Sequence, residues 1–387
     1  MMIPSASPQF LAGHALQEIL ERAAPILGRT NDLAVPTRQT AHWMAMMHDD
    51  TRLVDMNLPG THDAATWNYS AERQKELEKY TGPMYPNFVF RCQDRSLLQS
   101  LDDGIRVFDL RLGYNPGDDT IGFWHGRALL SPTTSFEDVL FGLYNWLLSH
   151  PTETILVSIQ QEEGSLTTYD KKFETILHAA LSSPLAQRFW RLQQGQLGTL
   201  GEARGKLVLL QRFTYEFLSD VGVRHEFGIH LGAAKWTPNG ADIEIVYNEA
   251  PKRVAYIEDE FKPGVPANSG TDATISKKFS VLTGHLEKAI AYGAPADVEE
   301  GLFVTFASAH ANHDKIPITP NVRLCAWAWL LRSNSLLQVM ALGDGVTAGI
   351  NERLLPWVQG RRGQRLGIIL LDFYASQTEL LETIIGL

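Results

Sequence analysis

A chain of 387 residues that is 44% hydrophobic and only 20% charged can bury a large core, which excludes wholesale disorder. Its 34 basic residues are outnumbered by 44 acidic ones, and the formal charge of −10 excludes a polyanion such as nucleic acid as the expected partner; a single phosphate gripped by local arginines remains allowed. The two cysteines, Cys92 and Cys325, lie among apolar or aromatic neighbours, so they read as buried thiols and supply neither a disulfide framework nor a zinc site.

The opening stretch MMIPSASPQFLAGHALQEIL has no basic start and no long apolar run, so secretion is not indicated. No segment reaches the roughly 18 apolar residues that a membrane span requires. The expectation is a soluble, cytoplasmic protein in which residues 1–50 form a helical extension packed on a single domain of residues 51–387. Eight runs rich in β-branched and apolar residues follow and read as strands: LVDMNL, IRVFDLRLG, TIGFWHG, ETILVSIQ, KLVLLQRF, VAYIEDEF, LFVTFAS and LGIILLDFY. Most are apolar at successive positions, as strands covered on both faces are. Between them, SFEDVLFGLYNWLLSHP has a serine start, apolar three-to-four spacing and a stop before Pro151, which predicts a helix. TYDKKFETILHAALSS, DATISKKFSVLTGHLEKAIAYG and GVTAGINERLLPWVQG read the same way. Strand and helix alternating to a count near eight predict an α/β fold, a distorted (β/α)8 TIM barrel, with an open doubly wound sheet as the alternative. The link GYNPGDDT is too short for a helix, so the second and third strands are expected to be joined by a turn. KPGVPANSGTD, residues 262–272, reads as a surface loop within the domain.

In such a barrel, chemistry gathers at the carboxyl ends of the strands. His62 and Asp63 follow the first strand after a Pro-Gly pair read as a turn. Asp109 and Arg111 close the second, His125 ends the third, Gln160 the fourth, Arg212 the fifth and Asp259 the sixth, and Asp372 lies near the end of the eighth. Taken singly, each has a plain structural explanation: a loop histidine, a buried ion pair in DLR, a capping aspartate. Together they suggest a polar pocket at one mouth, because polar groups inside apolar strands are costly to bury unless paired. Two imidazoles with carboxylate neighbours suit paired general base and general acid work near neutral pH, and an arginine between them can grip two phosphoryl oxygens. That set describes phosphodiester cleavage by an oxygen nucleophile. No GxSxG or GxxxxGK[ST] stretch is present, and HEFGIH (residues 225–230) does not have the HExxH zinc spacing and reads as loop histidines. HANHD (residues 310–314) is a better metal candidate, yet a weak one.

LPGTHDAATW, LDDGIRVFDLRLG, WHG and SHPTETILVSIQQE resemble, in that order, the successive motifs of the phosphatidylinositol-specific phospholipase C X-domain family over residues 53–163, with a weaker continuation through GKLVLLQRF, YIEDEF and IILLDFY. The GTHD and DLR versions look like the compact, metal-independent bacterial type. The resemblance implies a distorted TIM barrel and an enzyme that cleaves the glycerol–phosphate bond of an inositol phospholipid, giving diacylglycerol and a cyclic inositol phosphate. It implies His62 as general base on the inositol 2-hydroxyl, backed by Asp372. Arg111 neutralises the phosphate, and His125 protonates the diacylglycerol oxygen with Asp63 as its partner. Asp109 supports the arginine, and Arg212 and Asp259 hold inositol hydroxyls, with Gln160 and Phe261 at further substrate-binding positions. No metal and no cofactor is implied. The implied partners are the phospholipid substrate and, transiently, the membrane surface, with the chain acting as a monomer.

The sequence departs from that family at two places. Gln160 stands where bacterial-type relatives carry lysine, which removes one positive charge near the phosphate. EDEF places Phe261 where a tyrosine is usual, keeping a stacking face and losing a hydroxyl. These departures keep open a catalytically weak or inactive barrel that binds phosphoinositides, or a phosphodiesterase for another glycerophosphodiester. Residues 66–90 are longer than a compact enzyme needs and could form a lid. Trp67, Tyr69 and Trp236 are candidates for entering a lipid interface, against packing in the core or rim, and the net charge argues against strong adsorption to anionic bilayers.

Overall fold

The computed structural model of the chain describes residues 8–29, 39–219, 222–223, 227–266, 269–310, 340–341 and 347–387. Its strands are β1 (Leu58–Thr61), β2 (Val107–Tyr114), β3 (Ile121–His125), β4 (Ala128–Leu129), β5 (Ile155–Gln161), β6 (Leu207–Gln211), β7 (Ile229–His230), β8 (Ile243–Glu249), β9 (Lys252–Glu258), β10 (Glu300–Phe306) and β11 (Ile368–Leu371). The helices are α1 (Pro8–Leu27), α2 (Ala71–Thr81), α3 (Leu97–Asp103), α4 (Phe136–Ser149), α5 (Lys171–Ser182), α6 (Ala186–Phe189), α7 (Leu200–Ala203), α8 (Thr271–Ile290), α9 (Ile350–Gln359) and α10 (Thr378–Ile385).

One sheet runs β7-β6-β5-β2-β1-β11-β10-β9-β8. Every neighbouring pair from β7 through β9 is parallel, and β8 closes the row antiparallel to β9. The first strand of the chain therefore pairs with the last, Leu58 opposite Ile368 and Thr61 opposite Leu371, which curls the sheet into a nearly closed barrel. Side chains alternate across each strand. Leu58, Val107, Leu156, Val208, Ile257, Val304 and Ile368 pack together around Trp43, Met44, Leu53, Val54 and Met56, filling the inside of the barrel. The alternate set, including Phe108, Val157, Leu209 and Ile369, packs outward against helices such as α3, α4, α5 and α9. Capping serines and threonines start several of these helices, as Ser135 does for α4 and Ser96 for α3. α1 lies along α4, with Arg22 paired to Asp138 at 2.8 Å.

The barrel matches the expected class, with five local corrections. LVDMNL is not the first strand: Leu53–Asp55 is a short 3-10 turn, and the strand is Leu58–Thr61. Pro59 and Gly60 are inside it rather than forming a turn, because a side chain at Gly60 would meet Leu370 at 2.6 Å and Val107 at 2.8 Å. TIGFWHG is joined to β2 by a turn as expected, but β3 runs antiparallel to it and stands off the barrel row. The eighth parallel position is taken by β7, whose His230 is therefore a strand residue and not a loop histidine; His225 lies outside the described residues. β8 is absent from the expected strands, although IEIVYNE alternates buried and more exposed positions.

Candidate active site

The inward alternation that places Val107 inside the barrel continues to Asp109 and Arg111. The same parity carries Leu58 to Gly60 and His62, Leu156 to Gln160, Leu210 to Arg212, Ile257 to Asp259, and Ile368 to Leu370 and Asp372. Strand geometry alone thus directs side chains from six strands toward one mouth. His125 reaches it from the end of β3. Here a cavity of about 560 Å³ opens, lined among the described residues by His62, Arg111, His125, Gln160, Arg212, Asp259 and Phe261. Asp63, Asp109 and Asp372 lie buried beneath this lining.

Asp63 is the hub. It follows His62 in a left-handed backbone conformation, φ 43°, which turns its side chain back under the histidine. One carboxylate oxygen lies 3.2 Å from Nε2 of His62 and 3.2 Å from Nε2 of His125; the other lies 3.0 Å from Nε of Arg111. Both imidazoles and the guanidinium therefore face one another across a single side chain. His62 Nδ1 sits 2.9 Å from Asp372. His125 Nδ1 lies 2.6 Å from the Phe90 carbonyl, which can only accept; Nδ1 therefore donates to it, leaving Nε2 to face Asp63. Phe90 ends the segment expected as a lid, which is built of turns and α2, and its ring also meets His125 edge to face.

Beneath Arg111, Asp109 bonds its Nε at 3.2 Å and Nη1 of Arg212 at 3.3 Å, and accepts from the Asp63 backbone N–H. Asp109 is fully buried and does not line the cavity, so its place is that of a support for both arginines. Arg212 lies 3.7 Å from the Trp236 ring, whose indole N–H donates to Asp259 at 2.9 Å. The loop bearing Asp259 and Phe261 is tied down by Lys278, which bonds Glu258 at 2.7 Å and the Glu260 carbonyl at 3.0 Å.

Burial alone would pull the His62 imidazole down, but Asp372 and Asp63 outweigh it and hold it above 6.5. Burial pushes Asp63 up, against the pull of Arg111 and the two histidines. Asp109 is also buried, yet Arg111 and Arg212 hold it down to about 2. Arg111, among Asp63, Asp109 and Glu162, is pushed far above its ordinary value in spite of burial, so it is a permanent cation.

Sequence reasoning misses several neighbours. Glu162 and Glu163 line the cavity, with Glu162 3.7 Å from Arg111, and the acidic pair after the fourth predicted strand is a readable signal. Cys92 is buried as expected, but 3.8 Å from His125; nothing in its sequence context marks it. Cys325 lies outside the described residues, as do all of HANHD but His310, which lines the cavity beside Phe261. Trp67 donates to the Ile26 carbonyl at the end of α1 and Tyr69 is buried, so both pack inward instead of facing a lipid interface; Trp236 serves the cavity wall. Among the described residues, donor atoms of His62, Cys92 and Asp372, of Asp63, Cys92 and His125, and of His62, Asp63 and Asp109 each lie within 4.8 Å of one another, all inside this one network. No helix among the described residues is long and apolar enough to cross a membrane.

Fold and site together define a distorted α/β barrel whose mouth holds two imidazoles and a guanidinium on a shared carboxylate. The chain is similar to the phosphatidylinositol-specific phospholipase C X-domain family: the model described as "Phosphatidylinositol-specific phospholipase C, X domain" matches residues 81–213, beginning after the LPGTHDAATW stretch. It is 24% identical over 229 residues to the 1-phosphatidylinositol phosphodiesterase of Staphylococcus aureus (strain Newman), covering 58% of this chain and 66% of that one. It is 27% identical over 198 residues to the enzyme of the same name from Listeria monocytogenes, covering 50% and 55%. The aligned region thus spans less than two thirds of either relative. In three dimensions the chain resembles the S. aureus phosphatidylinositol-specific phospholipase C solved in a study of its membrane binding, with a TM-score of 0.65, 20% identity and coverage of 90% and 97%, which shows a shared fold.

Proposed function

We propose that this chain is a phosphodiesterase of the phosphatidylinositol-specific phospholipase C type, cleaving the glycerol–phosphate bond of an inositol phospholipid without a metal ion. The observation that carries the reading is the convergence of His62 Nε2, His125 Nε2 and Arg111 Nε on Asp63 at 3.0 to 3.2 Å. His62 takes the proton of the inositol 2-hydroxyl, and Asp372 on its Nδ1 stabilises the imidazolium that forms. The 2-oxygen attacks phosphorus, and the bond from phosphorus to the glycerol oxygen breaks. His125 gives its Nε2 proton to that oxygen, releasing diacylglycerol and leaving a cyclic inositol phosphate. Arg111 matches the charge that builds on the phosphoryl oxygens, and as it is held in place before reaction it need not reorganise. Asp63 serves whichever imidazole bears the extra proton. Arg212, Asp259, Gln160 and Phe261 line the cavity where the inositol ring would sit, and the relatives' names and the membrane binding studied in the S. aureus protein support a lipid substrate met at a membrane surface.

The direct test is turnover of phosphatidylinositol vesicles in excess chelator, with phosphorus NMR reading the product. A cyclic phosphate signal is expected; folded protein that produces none overturns the reading. Gln160 favours a second reading, a barrel that binds phosphoinositides without turning them over. It predicts equal affinity for the wild type and a His62→Ala/His125→Ala double variant, with no product from either.

A further inference from the structure

His62 and Asp372 are each followed by a non-glycine residue in the left-handed region, Asp63 at φ 43° and Phe373 at φ 45°. Such conformations persist only where their surroundings enforce them. They occur here at the ends of two neighbouring strands, β1 and β11, where the ladder stops and carbonyls leave the sheet. Two side-chain amides meet those carbonyls. Gln93 donates from one nitrogen to the His62 carbonyl at 2.7 Å and the Leu371 carbonyl at 2.8 Å, spanning both strands. Asn351, at the start of α9, donates to the Asp372 carbonyl at 2.9 Å and the Phe373 carbonyl at 3.3 Å. All four acceptors are carbonyls, so the amide nitrogens must face them. Both amide side chains are buried.

We propose that Gln93 and Asn351 are positioning residues for the reaction, together holding His62 and Asp372 in register: Gln93 locks the two strand ends to each other, and Asn351 fixes the turn that aims Asp372. The proposal rests on the reading of His62 as the base. The segment around Gln93 is itself laced across both turns. Cys92 N–H donates to Thr66 Oγ1 at 3.0 Å, and the Cys92 carbonyl accepts from Phe373 N–H at 3.0 Å. The brace therefore joins the loop after β1, the loop before α3, the turn after β11 and α9. A carboxamide is the side chain that fits, since it alone offers two donors on one planar nitrogen at this length and without charge. The Leu371 carbonyl also accepts from His62 N–H and the Phe373 carbonyl from Ser376 N–H, so loss of Gln93 takes the side-chain donor from the His62 carbonyl and loss of Asn351 takes it from the Asp372 carbonyl, just where those two residues must stay within a hydrogen bond.

The test compares Gln93→Met and Asn351→Leu, similar in size and lacking donors, with Gln93→Asn, which keeps the amide one methylene short. Imidazole NMR of the full chain without substrate reads the titration of His62, and vesicle assays read kcat and KM. The groups facing His62 (Asp372, Asp63 and Arg111, with Cys92 and His125 alongside) are the same in all variants. In Gln93→Met and Asn351→Leu, the His62 titration should move down toward the ordinary imidazole value. kcat should fall by about tenfold to a hundredfold with KM little changed, the cost of slight misplacement. Gln93→Asn should lie between. A folded Gln93→Met with wild-type His62 titration overturns the proposal; if that variant does not fold, the same unchanged titration in Gln93→Asn or Asn351→Leu does so. Wild-type protein without turnover sinks the functional reading, whereas the His62 titration still decides for or against the brace.

Discussion

His62 and His125 meet edge to face, with ring centroids 6.2 Å apart and planes at 83°. In the proposed mechanism two proton carriers this close, served by one carboxylate, act on the same bond-breaking event. His62→Ala and His125→Ala are each expected to lower kcat by about a hundredfold to ten-thousandfold. The double variant should lose little more than the worse single one, since groups that act as a unit are not additive. Turnover of phosphatidylinositol, with circular dichroism confirming the fold, checks both statements.

The acidic limb of the pH profile should follow His62. A general base must be unprotonated, and Asp372 and Asp63 raise this imidazole above 6.5 despite its burial. kcat/KM is therefore expected to climb with pH through a value above 6.5. Asp63→Asn removes one of the two raising charges, so the limb should move to lower pH while kcat drops. A limb that stays in place in Asp63→Asn would show that another group sets it.

Asp109 is a matter of stability as much as of catalysis. It is fully buried with Arg111 and Arg212 and held down to about 2. A depressed carboxyl contributes stability that is complete above its unfolded value of about 3.9. That contribution is lost as pH falls through about 2. At pH 7, Asp109→Asn should cost about 3–5 kcal/mol, as breaking a buried ion pair does by leaving cations uncompensated. The penalty should shrink below pH 4. Urea unfolding at several pH values measures it.

Gln160→Lys should strengthen turnover. Gln160 lines the cavity in register with Arg111 across β2 and β5, and the mouth also carries Glu162, Glu163 and Asp259. A cation added there would attract the phosphodiester and raise kcat/KM severalfold at low salt. The gain should fade as ionic strength approaches ~0.15 M, where the screening length is about 8 Å. Steady-state assays across a salt series decide it.

Much of the mouth is legible in the sequence because strand parity is a local property. Once Val107 faces inward, Asp109 and Arg111 must follow, and the same count finds His62, Arg212, Asp259 and Asp372. Gln93, Cys92 and Asn351 cannot be found that way. Gln93 and Cys92 come from a connection and Asn351 from the first turn of α9, and each matters through partners remote in the chain, as Gln93 does through Leu371, 278 positions away. Gly60 misleads for a related reason. Pro-Gly is the strongest local mark of a turn, but here glycine answers to the closeness of Leu370 and Val107 across the sheet. β7 is too short for any periodicity to show, whereas the alternation in β8 is visible in its residues.

The pairing of β1 with β11 also governs when the molecule can begin to work. His62 and Asp372 are 310 positions apart, so His62 meets this carboxylate only after the chain has been made through Asp372 and β11 has docked beside β1. A nascent chain halted before Ile368 would display both imidazoles and the guanidinium yet have no complete base. The proposed site is thereby completed by a contact that forms late in the growth of the chain, not by either segment alone.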